Sequence, residues 1–249
     1  MADTQPTLEG FLSILAAIEG ESRPIHQVLI HEKKRYDKRL AYLRHTAERA
    51  SISVEYVPEE QINQHTDGNT HGGAVALVGE RRFVGLADLL PPEKNAFIVM
   101  LDGIEDPFNF GYAIRALYAA GVDGVVVRPR NWTTASSVVG RSSAGASERV
   151  VMAVAETAED AATFYRGHGV LIATTARSDT SQSLYLTDLK QPLFLLIGGE
   201  RRGVTRSFMD QADALLEIPY GRDFEQSLGT INATSAIAFE VLRQRHHTS

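Results

Sequence analysis

Runs of consecutive apolar residues, rather than alternating ones, dominate the second part of the chain. The runs are "AFIVMLDGI", "DGVVVRP", "RVVMAVA", "GVLIATTA", "LFLLIGG" and "ALLEIP". Their spacing leaves room for a helix or a loop after each run. Continuous Val, Ile and Leu favour strands buried on both faces, as in a parallel sheet covered by helices. A final amphipathic helix is predicted over Thr230 to Arg245.

The first third of the chain alternates shorter patterns and predicts a small α/β unit. A helical start at "TLEGFLSILAAIEG" is followed by a strand at "QVLI", a basic helix, and strands at "SVEYVP" and "AVALVG", with a polar loop "HTDGNTHGG" between those two strands. Adjacent prolines in "LLPPEKN" mark a boundary before a new apolar strand. We therefore predict an α/β protein with one domain over residues 1–90, a linker over 91–95 and a parallel-sheet domain over 96–249.

Polar residues collect directly after three of the predicted strands. They lie in "DPFNFGYAIR" (Asp106 to Arg115) after the first strand of the parallel sheet, "GGERRG" after the fifth and "YGRDFEQSLG" after the sixth. Ligands of such sheets bind at the carboxyl ends of the strands, so the three stretches predict one site. Each also has a structural explanation. Asn109 or Ser227 can cap a helix, "GGERRG" can form a tight turn with Gly203 near a helix start, and Arg115 can be a solvated surface residue.

Composition narrows the class of protein. The chain has 249 residues, 43% of them hydrophobic and 22% charged, which is a globular balance. It has no Cys, and its eight His lack close ligand spacing, so we expect no metal. No apolar run approaches the roughly 18 residues that cross a bilayer. Asp3 and Glu9 stand where a signal peptide has basic residues, so we predict a cytoplasmic protein.

A local basic stretch stands out against the overall net charge of -6. Between His31 and Arg49, seven Lys or Arg residues oppose three acidic ones, and Tyr36 and Tyr42 are interleaved with them. This combination suits phosphate contact with base stacking, and it is also typical of the solvated face of a surface helix. A further stretch of small residues, "GRSSAGASE" over Gly140 to Glu148, is predicted to be a loop whose backbone can approach a ligand.

Taken together, these stretches resemble the SpoU/TrmH branch of the SPOUT methyltransferases. The family motifs have the approximate forms D-P-x-N-x-G-x-x-x-R, G-x-E-x-x-G and I-P-M-x-G followed by S-L-N, and "SAGA" between the first two also looks like the family. The matching residues are Asp106, Pro107, Asn109, Gly111, Arg115, Gly198, Glu200, Gly203, Ile218, Pro219, Ser227 and Leu228. Two departures from the pattern matter: Tyr220 replaces Met, and Gly229 stands where Asn is usual, with Asn232 three residues on.

The resemblance implies an enzyme that methylates a ribose 2'-hydroxyl in RNA with S-adenosylmethionine. It also implies a deep trefoil knot, a homodimer and an amino-terminal domain similar to ribosomal-protein-like RNA-binding domains, with "HGGAVALV" as its closing motif. Ribosomal RNA is favoured over transfer RNA, and a non-catalytic RNA-binding protein on the same fold remains an alternative because of Gly229.

The resemblance also assigns roles to residues. We expect Asn109, Arg115, Glu200 and Ser227 to be catalytic, and the backbone near Gly198, Ile218 and Leu228 to hold the cofactor. The residues expected to contact RNA are Lys33, Lys34, Arg35, Lys38 and Arg39. Arginine keeps its proton in proteins, so anchoring a phosphate and orienting the hydroxyl suits Arg115 better than deprotonating it.

Neutralising Lys33, Lys34 and Arg35 together should weaken RNA binding and flatten its dependence on salt, because fewer counterions are released from the phosphates. The measurement is RNA affinity over a range of salt concentrations. Unchanged RNA affinity would show that the basic stretch is only the solvated face of a surface helix.

Overall fold

The computed structural model describes residues 5–66, 70–129, 135–199 and 203–246. Contacts divide the chain into two compact units, Met1–Arg82 with Asn131–Arg149, and Phe83–Arg130 with Val150–Ser249. This division by packing does not test the predicted domain ranges, which stay a prediction. The same holds for the predicted trefoil knot.

The elements alternate between strands and helices along the chain. In chain order they are β1 (Thr7–Glu9), α1 (Phe11–Gly20), β2 (Ile25–His31), α2 (Lys38–Arg49), β3 (Ser53–Val57), α3 (Glu59–Asn63), β4 (Ala74–Val78), β5 (Phe97–Asp102), α4 (Pro107–Ala119), β6 (Gly124–Val127), α5 (Ser136–Ser142), α6 (Ala146–Arg149), β7 (Met152–Val154), α7 (Ala158–Gly167), β8 (Leu171–Thr175), β9 (Gln182–Ser183), β10 (Leu193–Gly198), α8 (Arg206–Met209), β11 (Ala214–Glu217) and α9 (Thr230–His246). Short 3-10 helices lie at Glu32–Lys34 and Leu86–Leu89.

The first unit is built on a sheet that, in the described part of the chain, has four strands in the order β1-β4-β2-β3. β4 pairs antiparallel with β1 and β2, and β2 pairs parallel with β3. One face is covered by α1 and α2, whose buried Ile14, Leu40 and Leu43 pack with Val28 and Ile30 of the sheet. The predicted small α/β unit is therefore confirmed.

Three local predictions for this unit were wrong. The "helical start" contains β1, because Gly10 at φ 82° breaks the chain before α1 begins. The basic helix is interrupted, since the Asp37 carboxylate accepts the N–H groups of Arg39 and Leu40 and so begins α2 at Lys38. The stretch "GRSSAGASE" lies largely in α5 and α6 rather than in a loop.

A buried ion cluster joins α6 to the rest of the first unit. The Glu148 carboxylate accepts hydrogen bonds from Ser22 Oγ at 2.5 Å and from Arg23 Nε at 2.9 Å, and Arg81 Nη1 lies 3.5 Å away. Burial alone would raise the pKa of Glu148, but Arg23, Arg81 and these hydrogen bonds outweigh it and lower the pKa. Burial lowers the pKa of Arg81 to about 10, against the opposing effect of Glu148. The carboxylate and the two guanidinium groups therefore stabilise the unit together, and removing one of them leaves the others buried without compensation.

Glu148→Gln should destabilise the protein by about 3 to 5 kcal/mol near neutral pH, because it leaves two buried guanidinium groups without their counter-charge. A carboxyl with a lowered folded pKa stabilises the fold above its unfolded pKa of about 4.3, and that stabilisation is lost as the pH falls through the folded value. The difference between wild type and variant should therefore shrink below about pH 4. Denaturant unfolding at several pH values measures this.

The matched control is Glu19→Gln, which removes the partner of Arg149 in a more exposed ion pair of the same unit. An exposed pair contributes only about 0 to 1 kcal/mol. Equal losses for the two variants, or a Glu148→Gln difference that persists in acid, would contradict a stabilising role for the buried cluster.

The second unit contains a parallel sheet, which in the described ranges has seven strands in the order β7-β6-β5-β10-β8-β11-β9. All six predicted strands are present and every pairing is parallel, as the continuous apolar runs indicated. Only the edge strand β9 was missed, because "QS" carries no apolar signal.

Both faces of this sheet are covered. Ile98 and Met100 of β5 point to a core with α7 and the buried Phe208 of α8. Because side chains alternate along a strand, Phe97, Val99 and Leu101 point to the opposite face, and all three are buried. α4 and α9 pack against each other, and α9 spans the predicted range with one more residue. No helix in the described residues is long and apolar enough to cross a membrane.

Candidate functional site

The carboxyl edge of the second unit's sheet brings two of the predicted stretches together. β5 and β10 pair in register, and Asp102 lies beside Gly198. A Cβ atom on Gly199 would lie 2.1 Å from the Gly103 carbonyl oxygen, and one on Gly198 would lie 2.4 Å from the Gly203 carbonyl carbon. Only glycine fits at positions 198 and 199, so the loops after β5 and β10 touch backbone to backbone. Glu200, the predicted catalytic carboxylate, lies outside the described residues.

The loop after β5 leads directly into α4. Asp106, not Asn109, caps this helix: its carboxylate accepts the N–H groups of Phe108 at 2.7 Å and Asn109 at 3.0 Å, and Pro107 occupies the first turn. The capping explanation for the Asn109 side chain was therefore wrong. Asp106 had the stronger signal, an Asp-Pro pair at the start of an apolar helix.

Arg115 lies on the exposed face of α4. The opposite face of this helix, including Ala113, Ile114 and Leu117, is buried. Arg115 shares its exposed face with Phe108 and Tyr112, which are 50% and 45% exposed. Among the residues that the structure describes, the Arg115 side chain has no hydrogen-bond or ion-pair partner. A solvent-facing guanidinium is available to bind an anionic ligand.

An ion pair that the sequence did not predict connects the ends of β5 and β6. Arg128 Nε lies 2.7 Å from Asp102 Oδ1, and Arg128 Nη2 donates to Asp102 Oδ2 at 2.8 Å. The hydrogen bond with Asp102 is the main reason that the pKa of Arg128 is raised. A two-point pair of this kind fixes both groups in orientation. The sequence did contain a signal for Arg128, because it directly follows the apolar run "GVVV" and so stands at the end of a predicted strand, as Asp102 does.

The third predicted stretch follows β11 and is organised by Tyr220. The Tyr220 hydroxyl accepts the backbone N–H of Leu228 at 2.9 Å, which closes the loop between Pro219 and Leu228. α9 begins at Thr230, so Ser227 lies before the first turn and the expectation that it is a helix cap was wrong. Ile218 is partly buried at the start of the loop, and Leu228 is 38% exposed at its end.

Arg177, at the end of β8, contacts the same loop at several points. Its guanidinium lies 5.5 Å from the centre of the Tyr220 ring, and its Nη1 donates to the carbonyl oxygens of Phe224 at 3.0 Å and Glu225 at 3.2 Å. Its Nε lies 3.6 Å from Glu217 Oε1. Sequence reasoning missed Arg177, although it follows an apolar strand as Arg128 does.

A cavity of about 350 Å³ lies beside this loop. It is lined by Arg177, Ser183, Glu217, Pro219, Tyr220, Arg222, Asp223 and Phe224. The lining combines positive and negative side chains with two aromatic rings, whose centres are 6.2 Å apart. Such a set can bind a ligand that has a flat ring and charges of both signs.

Gly229, which stands where the family motif usually has Asn, is exposed. Among the described neighbours, the nearest atom to a Cβ placed on Gly229 would be Asn232 Nδ2, at 4.0 Å. Asn232 therefore carries an amide within about one side-chain length of position 229, from the first turn of α9.

The predicted RNA-contacting residues lie together in the first unit. Lys33 and Lys34 are in the 3-10 helix after β2, Arg35 follows it, and Lys38 and Arg39 begin α2. All five side chains are exposed. The Lys34 ammonium donates to the Gly72 carbonyl oxygen at 3.1 Å.

The chain matches two known families in succession. Residues 7–84 match "RNA 2'-O ribose methyltransferase substrate binding", and residues 96–239, more than half of the chain, match the "SpoU rRNA Methylase family". The chain belongs to the SpoU rRNA methylase family. The family-level interpretation of the three motifs is thereby confirmed.

Similar proteins match most of the chain. The 23S rRNA (guanosine-2'-O-)-methyltransferase RlmB of Pasteurella multocida is 30% identical over 86% of this chain and 88% of its own length. The AdoMet-bound rRNA methyltransferase of Sinorhizobium meliloti has a TM-score of 0.79 and 25% identity, covering 98% of this chain and 88% of that one. The SpoU methyltransferase AviRb of Streptomyces viridochromogenes, with a TM-score of 0.80 at 22% identity over 98% and 91% of the two chains, shares the fold.

Tyr220→Phe should loosen the loop before α9, because it removes only the hydroxyl that accepts the Leu228 N–H. A single net hydrogen bond contributes about 0.5 to 1.5 kcal/mol, so the Leu228 amide should exchange its hydrogen roughly two to ten times faster. Site-resolved hydrogen exchange measures this. Tyr185→Phe, at another exposed tyrosine of the same unit, is the control. Unchanged exchange at Leu228 would show that the hydroxyl does not hold the loop.

Proposed function

We propose that the protein methylates a ribose 2'-hydroxyl in ribosomal RNA, using S-adenosylmethionine. The observation that carries the proposal is the carboxyl edge of the parallel sheet, where the loop that leads into α4 touches the glycines at the end of β10 backbone to backbone, and α4 presents Arg115 to solvent. The family membership, the substrate-binding match and the names of the relatives support the same reaction. The relatives named for 23S rRNA favour ribosomal RNA over transfer RNA.

The residues beside the loop of Tyr220 fit the proposed cofactor. S-adenosylmethionine has a flat adenine, an ammonium and a carboxylate, and its sulfonium supplies an activated methyl group. The cavity offers the rings of Tyr220 and Phe224, the guanidinium of Arg177 and the carboxylate of Glu217. We propose that the backbone near Gly198, Ile218 and Leu228 contributes the remaining contacts. The Leu228 N–H already donates to the Tyr220 hydroxyl, so we propose that the Leu228 carbonyl, rather than its N–H, contacts the cofactor.

Arg115 is proposed to hold the RNA at the reacting ribose. A guanidinium binds phosphate oxygens in two-point geometry and keeps its charge at neutral pH, so it can fix the nucleotide and stabilise charge as the hydroxyl loses its proton. Asn109 and Ser227 are proposed to position the ribose, and Glu200 to orient Arg115. Holding both reactants in line accounts for much of the rate in a transfer of this kind.

We also propose a cytoplasmic homodimer. α4 and α9 pack against each other, and each leaves aromatic rings exposed: Phe108 and Tyr112 on α4, and Phe239 on α9, at 50%, 45% and 48%. Exposed aromatic residues on adjacent helices are typical of surfaces that bind another protein chain. A cytoplasmic location follows from the proposed substrate.

Arg115→Ala should lower methyl transfer by about 100-fold or more while cofactor affinity stays nearly unchanged, because the side chain acts on the ribose rather than on the cofactor. Transfer of labelled methyl groups to ribosomal RNA gives the rate, and calorimetry gives the affinity for S-adenosylmethionine. Arg206→Ala, at an exposed arginine of the same unit, is the matched control and should keep full activity.

Normal turnover of Arg115→Ala would remove the proposed role of this residue. Loss of cofactor affinity would instead place Arg115 in the cofactor site. If the wild-type protein binds RNA but not S-adenosylmethionine, the non-catalytic alternative suggested by Gly229 holds.

A further inference from the structure

The first unit places an arginine against two tyrosine rings. The centre of the Arg35 guanidinium lies 5.6 Å from the ring centres of both Tyr36 and Tyr56, within the range of cation–π contacts. Tyr36 is 87% exposed, which is high for so large an aromatic side chain. The sequence pattern pointed to Arg35 for RNA contact and to Tyr36 for base stacking, but not to Tyr56. We call these three residues the stacking platform.

The backbone holds the platform in place from both sides. Tyr56 belongs to β3, which pairs in parallel with β2 so that Tyr56 lies beside Ile30. The chain leaves β2, passes through the 3-10 helix of Glu32–Lys34, and is turned into α2 by the Asp37 cap. Tyr36 therefore sits in a short turn between two fixed elements. Tyr36 is therefore exposed because this turn holds it at the surface, and not because it lies at the end of a long loop.

Positive charge surrounds the platform. Lys33, Lys34, Lys38 and Arg39 are exposed within four residues of Tyr36 in sequence. Of the two acids nearest Tyr36 in sequence, Asp37 caps α2 and Glu32 remains, and Glu55 beside Tyr56 accepts a hydrogen bond from Gln27. The Lys34 ammonium is held at the Gly72 carbonyl, so one of these cations has a defined position. The surface thus combines cations for phosphates with π faces.

We propose that the stacking platform binds an unpaired RNA base by stacking it on Tyr36, with Arg35 and Tyr56 stiffening that ring from behind. A nucleobase has a π face whatever its identity, and stacking on an aromatic ring needs the base to be free of its helix. The platform therefore makes the first unit select single-stranded or looped RNA, whereas the lysines alone would bind any phosphate backbone. This inference deepens the proposed function and rests on it, because it specifies which RNA the enzyme takes.

The test uses the full chain and a 12-nucleotide single-stranded RNA containing 2-aminopurine, whose fluorescence falls on stacking with an aromatic ring. Tyr36→Ala should weaken binding of this probe about tenfold to a hundredfold and remove the quenching, since stacking on one aromatic side chain has effects of this size. Tyr36→Phe should restore both. The slope of affinity against salt should stay as in the wild type, because no phosphate contact is lost.

Two controls isolate the platform. Tyr185→Ala, at an exposed tyrosine of the second unit, should bind the probe like the wild type. The same RNA annealed to its complement should bind the wild type and Tyr36→Ala equally, because its bases are not free to stack. Equal loss on the duplex, or a changed salt slope, would overturn the proposal in favour of a phosphate-contact role for this turn.

Failure of the platform and failure of the proposed function are distinguishable. Unchanged probe binding by Tyr36→Ala together with normal methyl transfer removes the platform and leaves the enzyme. Quenching that depends on Tyr36 in a protein that transfers no methyl group to ribosomal RNA leaves the platform as an RNA-binding surface and removes the methyltransferase.

Discussion

The backbone contact between the loops after β5 and β10 is the constraint on which the rest of the candidate site depends. β5 and β10 pair in parallel register, and their loops come so close that a methyl group on Gly199 would overlap the Gly103 carbonyl. Gly103 itself has φ 80°, a conformation that suits glycine. Because the two loops meet without side chains between them, Gly103 and Gly199 are fixed relative to one sheet edge, and α4 starts from the loop that Gly103 begins.

A second set of contacts organises the loop between β11 and α9. Here the aromatic ring of Tyr220 is contacted by Arg177 on one side, and its hydroxyl holds the Leu228 N–H. A methionine, which the family motif has at this position, offers no hydroxyl for that bond. The departure at residue 220 is therefore a change in how this chain closes the loop. The departure at Gly229 lies one residue beyond the bond, where Asn232 brings its amide close.

The sheet could be predicted from the sequence because its signal is local. Continuous Val, Ile and Leu in "AFIVML" or "LFLLI" indicate strands buried on both faces, and parallel strands place their carboxyl ends at one edge. Asp-Pro before an apolar helix is likewise a local signal for the start of α4, although Asn109 was the residue expected to cap it. The short strands β1 and β9 were missed, since three and two residues carry too little pattern to separate from a helix or a loop.

The features that escaped prediction depend on residues far apart in the chain. The Glu148 carboxylate contacts Ser22, Arg23 and Arg81, which are distant in sequence, and the platform forms because β3 brings Tyr56 beside the turn of Arg35. The periodicity of apolar residues along the chain does not predict contacts between residues that are so distant in sequence. The Asp102 and Arg128 pair is intermediate, because each residue stands at a predicted strand end but their contact requires β5 and β6 to be neighbours.

The most direct test of the account is a map of ribose 2'-O-methylation, by mass spectrometry, in ribosomal RNA from cells with and without the gene. The account predicts one ribose methyl group that disappears with the gene and returns when the wild-type protein, but not Arg115→Ala, is supplied. Identical maps from the two kinds of cell, with a purified protein that transfers no methyl group to that RNA, would contradict it.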